Sequence, residues 1–361
     1  MTAARYFTSD YFEARQRFRA AAESAGASLE SVACPAKGPG DEALTTDVAW
    51  LGPAEAERVL VTISGTHGAE GFCGSGVQVG WYESGLADEA PAGTALCQIH
   101  GINPYGFAWL RRVTEDNVDM NRNFVDHAAP YPVNEGYEAL AEAICPKDWS
   151  DAVIADCQKV LDSYAEAEGP RALQAAISGG QYSHPDGIFF GGHRSTWAAD
   201  TLRSIFRQRL GKATDVAVID YHTGLGPRGY GERICVHDPD SDGLARARAW
   251  YEDDVTSPAL GDSASVEICG FNVTGMAEAL PQARLTAIAL EYGTLPSPEV
   301  RLALRADNWL HLHGEPDSAK GRGIKEQIRA AFYQDQDDWK DMVWERAIET
   351  QRLALGGLTE A

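Results

Sequence analysis

The chain has 361 residues, with 31 Lys and Arg against 53 Asp and Glu, giving a formal net charge of −22. So large an acidic excess, with no basic run, excludes a nucleic-acid binder, which needs a basic footprint for phosphates, and disfavours attachment to an anionic membrane surface. At 44% hydrophobic and 23% charged residues the composition is that of a globular protein with a large core, which excludes disorder. Seven cysteines without a Cys-x-x-Cys pair point to neither a disulfide framework nor a thiolate zinc site. Met1 to Ala33 lacks the basic head and apolar stretch of a secretory signal, and there is no apolar run of about 18 residues, so the cytoplasm is the expected compartment. No linker or low-complexity block divides the chain, and one domain over residues 1–361 is expected.

In chain order, residues 10–25 read as an amphipathic helix inside an N-terminal helical segment of about 8–26. Thr8, Ser9 and Asp10 offer capping oxygens, Glu13 sits in the first turn and Gly26 ends it. Val59 to Ile63 is a short β-branched run that opens into Ser64-Gly65-Thr66-His67-Gly68, as a buried strand opens into a turn. Ala95 to Ile99, Val216 to Ile219 and Leu285 to Leu290 have the same character, with helix-like stretches at 137–144, 151–168 and 201–210 between them. Strands apolar on both faces, alternating with helices, predict an α/β sheet covered on both sides. The C-terminal part, about 324–355, reads as one or two amphipathic helices broken near 334–338.

In such a sheet, ligands bind outside the carboxyl ends of the strands, and the polar residues of interest fall there. His67 and Glu70 follow the first run; on a helical turn, a spacing of three points an imidazole and a carboxylate the same way, so the pair can hold a metal ion. The spacing alone recurs by chance in solvated turns, but Gly65, Gly68 and Gly71 around it allow close backbone approach to a ligand. His222 closes another apolar run. Such a histidine is often a satisfied core residue, yet with His67 and Glu70 it completes a two-His, one-Glu set common for catalytic zinc, with one position open for water.

Glu291 ends a third run, and a carboxylate there needs a cation, a donor or a proton. It is either ion-paired with an arginine or a general base that takes a proton from the attacking water and hands it to the leaving amine. Arg122 beside Asn121 offers a planar fork plus an amide, suited to a substrate carboxylate. A guanidinium from Arg111 or Arg112 could polarise a carbonyl, although each arginine could equally serve a salt bridge in so acidic a protein. His100, His127, His184, His193, His237, His311 and His313 have no partner at ligand spacing, and His184 and His193 lie in a Gly- and aromatic-rich loop that could line or cover a pocket.

Ser64-Gly-Thr-His-Gly-Ala-Glu-Gly71, Asn103-Pro-Tyr-Gly-Phe107, Asp119-Met-Asn-Arg-Asn-Phe124, Asp220-Tyr-His-Thr-Gly224 and Glu291-Tyr-Gly-Thr294 occur in that order. In these motifs the chain resembles the zinc metallocarboxypeptidases of the carboxypeptidase A superfamily. It is more closely similar to their bacterial branch catalogued as a domain of unknown function, and more distantly to aspartoacylase and succinylglutamate desuccinylase. Gly180-Gln-Tyr-Ser-His-Pro-Asp-Gly187, Phe190-Gly-Gly192 and Arg305-Ala-Asp-Asn-Trp-Leu-His311 also look typical of that branch, so the resemblance covers about residues 45–315.

The resemblance implies a mixed, twisted α/β sheet of about eight strands with helices on both faces. It implies one zinc ion on His67, Glu70 and His222, Glu291 as base, Asn121 and Arg122 as the clamp for a substrate carboxylate, and Asp119 as the residue orienting His67. Arg112 is the expected carbonyl-polarising residue, with Arg111 its neighbour in that role; Tyr230 is the candidate substrate-capping tyrosine, with Tyr182 an alternative. The expected activity is zinc-dependent hydrolysis of an amide beside a free carboxylate, by a metallocarboxypeptidase acting on small peptides. The alternative is an N-acyl-amino-acid amidohydrolase. A non-catalytic binding protein on the same fold is disfavoured because His67, Glu70, His222 and Glu291 are all present.

Overall fold

The computed structural model describes residues 2–360. Its strands are β1 (Ser28–Lys37), β2 (Ala43–Leu51), β3 (Arg58–Ile63), β4 (Thr94–His100), β5 (Asp215–Arg228), β6 (Glu232–Cys235) and β7 (Arg284–Gly293). Its helices are α1 (Tyr11–Ser24), α2 (Gly71–Glu83), α3 (Pro104–Ala108), α4 (Glu135–Ile144), α5 (Asp151–Glu168), α6 (Pro170–Ser178), α7 (Trp197–Arg209), α8 (Asp242–Trp250), α9 (Asn272–Ala279), α10 (Ser297–His313), α11 (Ala319–Phe332) and α12 (Asp337–Glu360).

The four apolar runs become the parallel middle of one sheet of order β1-β2-β4-β3-β5-β7-β6, with antiparallel strands at its edges. Alternate residues of these strands serve two cores. Leu60, Leu96 and Ile219 pack with α1, α2, α8 and α12, whereas Val59, Val61 and Val218 pack with α7 and α9. This is the predicted α/β architecture, with seven strands in place of about eight. The sheet stops at the four-residue β6, whose outer edge carries an isolated bridge from Ile234 to Thr256 in place of a further strand. From β3 the chain passes to β4 on one side and then to β5 on the other, so the strand order reverses between β3 and β5, where α/β sheets place ligands.

Helix boundaries follow local chemistry. Asp10 caps α1 by accepting from the amides of Phe12 and Glu13, and the 333–336 break separates α11 from α12. One helix has no periodic signature. All of α2 from Gly71 to Tyr82 is buried, and its glycines would ordinarily argue against a helix. Packing overrides propensity: a Cβ at Gly74 would lie 2.8 Å from the Cβ atoms of both Ser64 and Tyr221, so only glycine lets the helix approach the sheet this closely.

Candidate active site

The turn after β3 is held by main-chain bonds from Gly68 to Arg112 O and from Ala69 to Arg111 O, which join it to the segment carrying both arginines. A Cβ at Gly68 would sit 1.8 Å from the carbonyl carbon of Gly106, so the contact requires glycine. Glu70 lies on this short 3₁₀ turn with His67 as its N-cap, and both side chains face the carboxyl end of β5.

His67 Nδ1 is 3.0 Å from Glu70 Oε1, His222 Nδ1 is 3.2 Å from Glu70 Oε2, and the two Nδ1 atoms are 3.2 Å apart. One atom from each residue lies within 4.8 Å of the others, the arrangement of a three-ligand cation site. Each imidazole is fixed from behind by a carboxylate: Asp119 Oδ1 at 3.1 Å from His67 Nε2 and Asp220 Oδ2 at 2.8 Å from His222 Nε2. With Nε2–H donating to those carboxylates, both Nδ1 lone pairs and the Glu70 carboxylate converge on one point, which a cation satisfies. The electrostatics agree. Burial opposes charge on His222, but Asp220 and Glu70 outweigh it and raise its pKa well above the ordinary value, so without a metal a proton would supply the missing positive charge.

Glu70 is fastened on every side, by Arg112 Nη1 at 2.9 Å, Thr223 N at 3.0 Å and both histidines. Burial would raise its pKa, but His67, His222 and Arg112 hold it well below the usual carboxylate range. Arg112 also reaches Asp119 through Nε at 2.9 Å, tying the Glu70 carboxylate to the carboxylate that holds His67.

Glu291 pairs in register with His222 on the adjacent parallel strand. Its Oε1 accepts from Leu225 N at 3.0 Å. Burial and the negative charge of Glu70 push its pKa up to about 8, against the opposing effects of His222, Leu225 N and Arg112.

His67, Arg112, Asn121, Arg122, His222 and Glu291 line one open cleft of about 710 Å³. Asp119 caps the 3₁₀ turn 120–122 through Asn121 N, which sets the clamp residues in place. Two of the five N–H groups of Arg122 are engaged, with Asn121 O at 3.1 Å and Ser178 O at 2.5 Å, and its Nε is buried without a partner. Burial lowers the Arg122 pKa to about 10, which leaves it charged.

Two candidates lie elsewhere. Arg111 turns away from the cleft, its Nη2 donating to Asn117 Oδ1 at 2.9 Å and its Nε 3.6 Å from Asp307. Tyr230 is half exposed beside Asp254 and Arg346, outside the cleft lining. Tyr182, its alternative, donates to Arg122 O at 2.6 Å and so supports the clamp from behind. His184 and His193 bond Glu138 and Tyr182 O, outside the cleft lining, while the buried His100 and the half-buried His237 and His311 have pKa values lowered by burial.

Sequence reasoning passed over Asp220, which accepts from Thr66 Oγ1 at 2.8 Å and Asn272 Nδ2 at 2.7 Å besides holding His222. The available signal was its position two residues before His222, which places both on one face of a strand. Asn272, whose main-chain N lies 3.3 Å from Asn121 Oδ1, carried no such signal.

The mixed open sheet with helices on both faces is an α/β fold of carboxypeptidase-like type. Bovine thrombin-activatable fibrinolysis inhibitor, solved in complex with tick carboxypeptidase inhibitor, is similar in fold, with a TM-score of 0.53 at 8% identity over 98% of both chains. The chain belongs to the family described as protein of unknown function (DUF2817), which matches residues 7–346. Lesser likenesses include a putative succinylglutamate desuccinylase/aspartoacylase from Shewanella frigidimarina (16% identity, 73% of this chain and 64% of that one, TM-score 0.39). A murein-tripeptide amidase from Escherichia coli O157 is another (14% identity, 82% and 91%, TM-score 0.36). No curated protein matches the chain in sequence. Among the described residues no helix is long and apolar enough to cross a membrane.

Proposed function

We propose that this protein is a zinc-dependent hydrolase that cleaves an amide bond next to a free carboxylate, releasing an amino acid from a small peptide or an N-acyl group. The observation that carries this reading is the His67–Glu70–His222 donor set, whose two imidazoles share one cleft with Glu291 and the Asn121–Arg122 pair. Two imidazoles and a carboxylate suit zinc, and three protein ligands leave a position for chemistry. A bound cation would polarise the scissile carbonyl and acidify water.

The protein's own groups supply the remaining parts. Arg122 and Asn121 hold the substrate carboxylate, which fixes where the adjacent amide lies. Arg112, whose Nε and Nη1 are fastened to Asp119 and Glu70, directs its remaining guanidinium edge to the cleft, where it stabilises negative charge developing on the carbonyl oxygen. Glu291 accepts a proton from the attacking water and returns it to the amide nitrogen as the C–N bond breaks, so the products are a carboxylic acid and a free amine. Its readily protonated carboxylate suits both halves of that transfer.

The test is hydrolysis by zinc-loaded protein of a mixture of peptides and N-acyl amino acids followed by mass spectrometry, with chelator-treated and Glu291→Gln controls. Chelator-sensitive release of amino acids bearing a free carboxylate is expected. Equal turnover of carboxylate and carboxamide forms overturns the reading.

A further inference from the structure

Beyond the metal centre the cleft has two walls of different construction. On one, Ala289 on β7 and its register partner Ile234 on β6 face Phe271 and Ile268 of the loop before α9. Asn272, the residue after Phe271, meets Asn121 of the clamp, while the other wall touches Arg122 through Ser178 O and carries Leu225, whose amide donates to Glu291; the amine half is assigned to the first wall and the acyl half to the wall beside Glu291.

The other wall continues into an open groove of about 1070 Å³ between α6 and α10. Gln174, Ser178, Phe189, Leu225, Val300 and Leu304 line both the cleft and the groove, so the two are continuous. Its outer part adds Ile177, Pro170 and Pro298, together with Arg171, Ser297 and Arg301. The α6 wall from Pro170 to Ser178 is about 12 Å long at a rise of about 1.5 Å per residue.

Most of the polar side chains in this lining are already committed to the protein itself. Gln174 Nε2 donates to Ala264 O at 2.8 Å, Ser178 Oγ to Gln174 O at 2.7 Å, and Arg171 to Ser263 O and Ser265 O, each at 3.2 Å. The walls are helices, whose main-chain N–H groups past the first turns at Pro170 and Ser297 bond within the helix. An extended peptide laid here would leave its N–H and C=O groups facing apolar side chains, which is costly, whereas a hydrocarbon or aryl chain loses nothing.

We infer that the groove between α6 and α10 is the acyl-side subsite of the reaction proposed above, and that it takes an extended apolar acyl chain, so that the preferred substrates are N-acyl amino acids with long or aromatic acyl groups. The inference rests on that reading for the direction of the substrate. The half-buried Arg301 completes the outer wall.

The decisive experiment reads binding and turnover separately, using N-acetyl, N-butyryl, N-octanoyl and N-benzoyl forms of one amino acid and an N-acetylated tripeptide ending in the same residue. Binding is measured by calorimetry on zinc-loaded Glu291→Gln protein, and kcat/KM on zinc-loaded wild type. Affinity and kcat/KM are expected to rise at least 30-fold from acetyl to octanoyl, with the tripeptide below octanoyl. Pro298→Glu, on the exposed first turn of α10 where a carboxylate suits the helix N-terminus, is expected to remove at least tenfold of that gain and leave the acetyl compound unchanged. Chain-length dependence of binding without hydrolysis keeps the groove assignment and overturns the hydrolase reading. Hydrolysis with no chain-length dependence, or with the tripeptide preferred, keeps the hydrolase and overturns the groove assignment.

Discussion

Glu70 and Glu291 are both buried carboxylates beside His222, and their surroundings push them in opposite directions. Glu70 has two imidazoles, the Arg112 guanidinium and the amide of Thr223 around it, and stays ionised at any working pH. Glu291 has the Leu225 amide and more distant charges, and its pKa climbs to about 8. In the reaction proposed above, the two identical groups take two roles suited to these surroundings: a permanently charged ligand must not take up protons, while a base that returns its proton must do so readily.

The comparison breaks most completely at Glu70. Glu70→Gln removes the charge that His67, His222 and Arg112 surround, so loss of stoichiometric zinc and of all detectable hydrolysis is expected, measured by metal analysis and the same assay. A Glu70→Gln protein with full zinc content and activity would move the ligand role elsewhere. At Glu291 the expected outcome differs in kind: Glu291→Gln keeps the metal and loses about 10²-fold or more in kcat, in the range of general acid–base catalysis.

The pH dependence sharpens the same contrast. The base works deprotonated, so kcat/KM must rise with pH through the Glu291 pKa and fall as pH drops below it. That pKa is about 8 without a cation, and a nearby divalent charge favours the ionised form, so the acid limb of the zinc enzyme lies below pH 8. In zinc-free protein, infrared titration of the carboxylates should show one group near 8. A rate profile flat down to pH 5 would exclude Glu291 as base.

A smaller effect is expected behind the ligands. Asp220 is to His222 what Asp119 is to His67, and partners of this kind are worth about 10–100-fold in metal affinity. Asp220→Asn should weaken zinc by that factor in a chelator competition, with kcat at saturating zinc changed much less. Unchanged affinity would reduce Asp220 to a packing residue.

The candidate ligands His67, Glu70 and His222 were legible in the sequence because each follows closely on an apolar β-branched run. Glu291 was legible for the same reason, whereas the Asn121–Arg122 pair, on a 3₁₀ turn far from any strand end, stood out only through its fork-and-amide chemistry and its motif. The choice between Arg111 and Arg112 was not, since adjacent residues point apart and the direction depends on Leu110, which takes a left-handed conformation with φ 51° just before them. Helix α2 was hidden because its glycines serve close packing that only the folded sheet creates. Tyr230 follows the right strand, but its loop folds toward Asp254 and Arg346, a choice made by distant side chains. The walls of the cleft beyond the ligands come from α6, α10 and the loop before α9, which no short-range pattern ties to the metal.

The mildest change expected at the site itself is at Arg122. Its guanidinium is anchored through two main-chain carbonyls, Asn121 O and Ser178 O, with Asp119 3.8 Å away, so the group is held rigidly while three N–H groups stay uncommitted within the protein. A substrate carboxylate bound there is held equally in the ground state and the transition state, because it is not the group that reacts. Arg122→Ala should therefore raise KM about tenfold or more while changing kcat less, the signature of lost uniform binding. Arg122→Lys separates folding from recognition: it retains a cation opposite Asp119 but not the planar fork, so it should fold like the wild type and still bind the free acid more weakly. If either variant lowers kcat as strongly as it raises KM, Arg122 acts on the reacting carbonyl, and the division of labour between it and Arg112 is reversed.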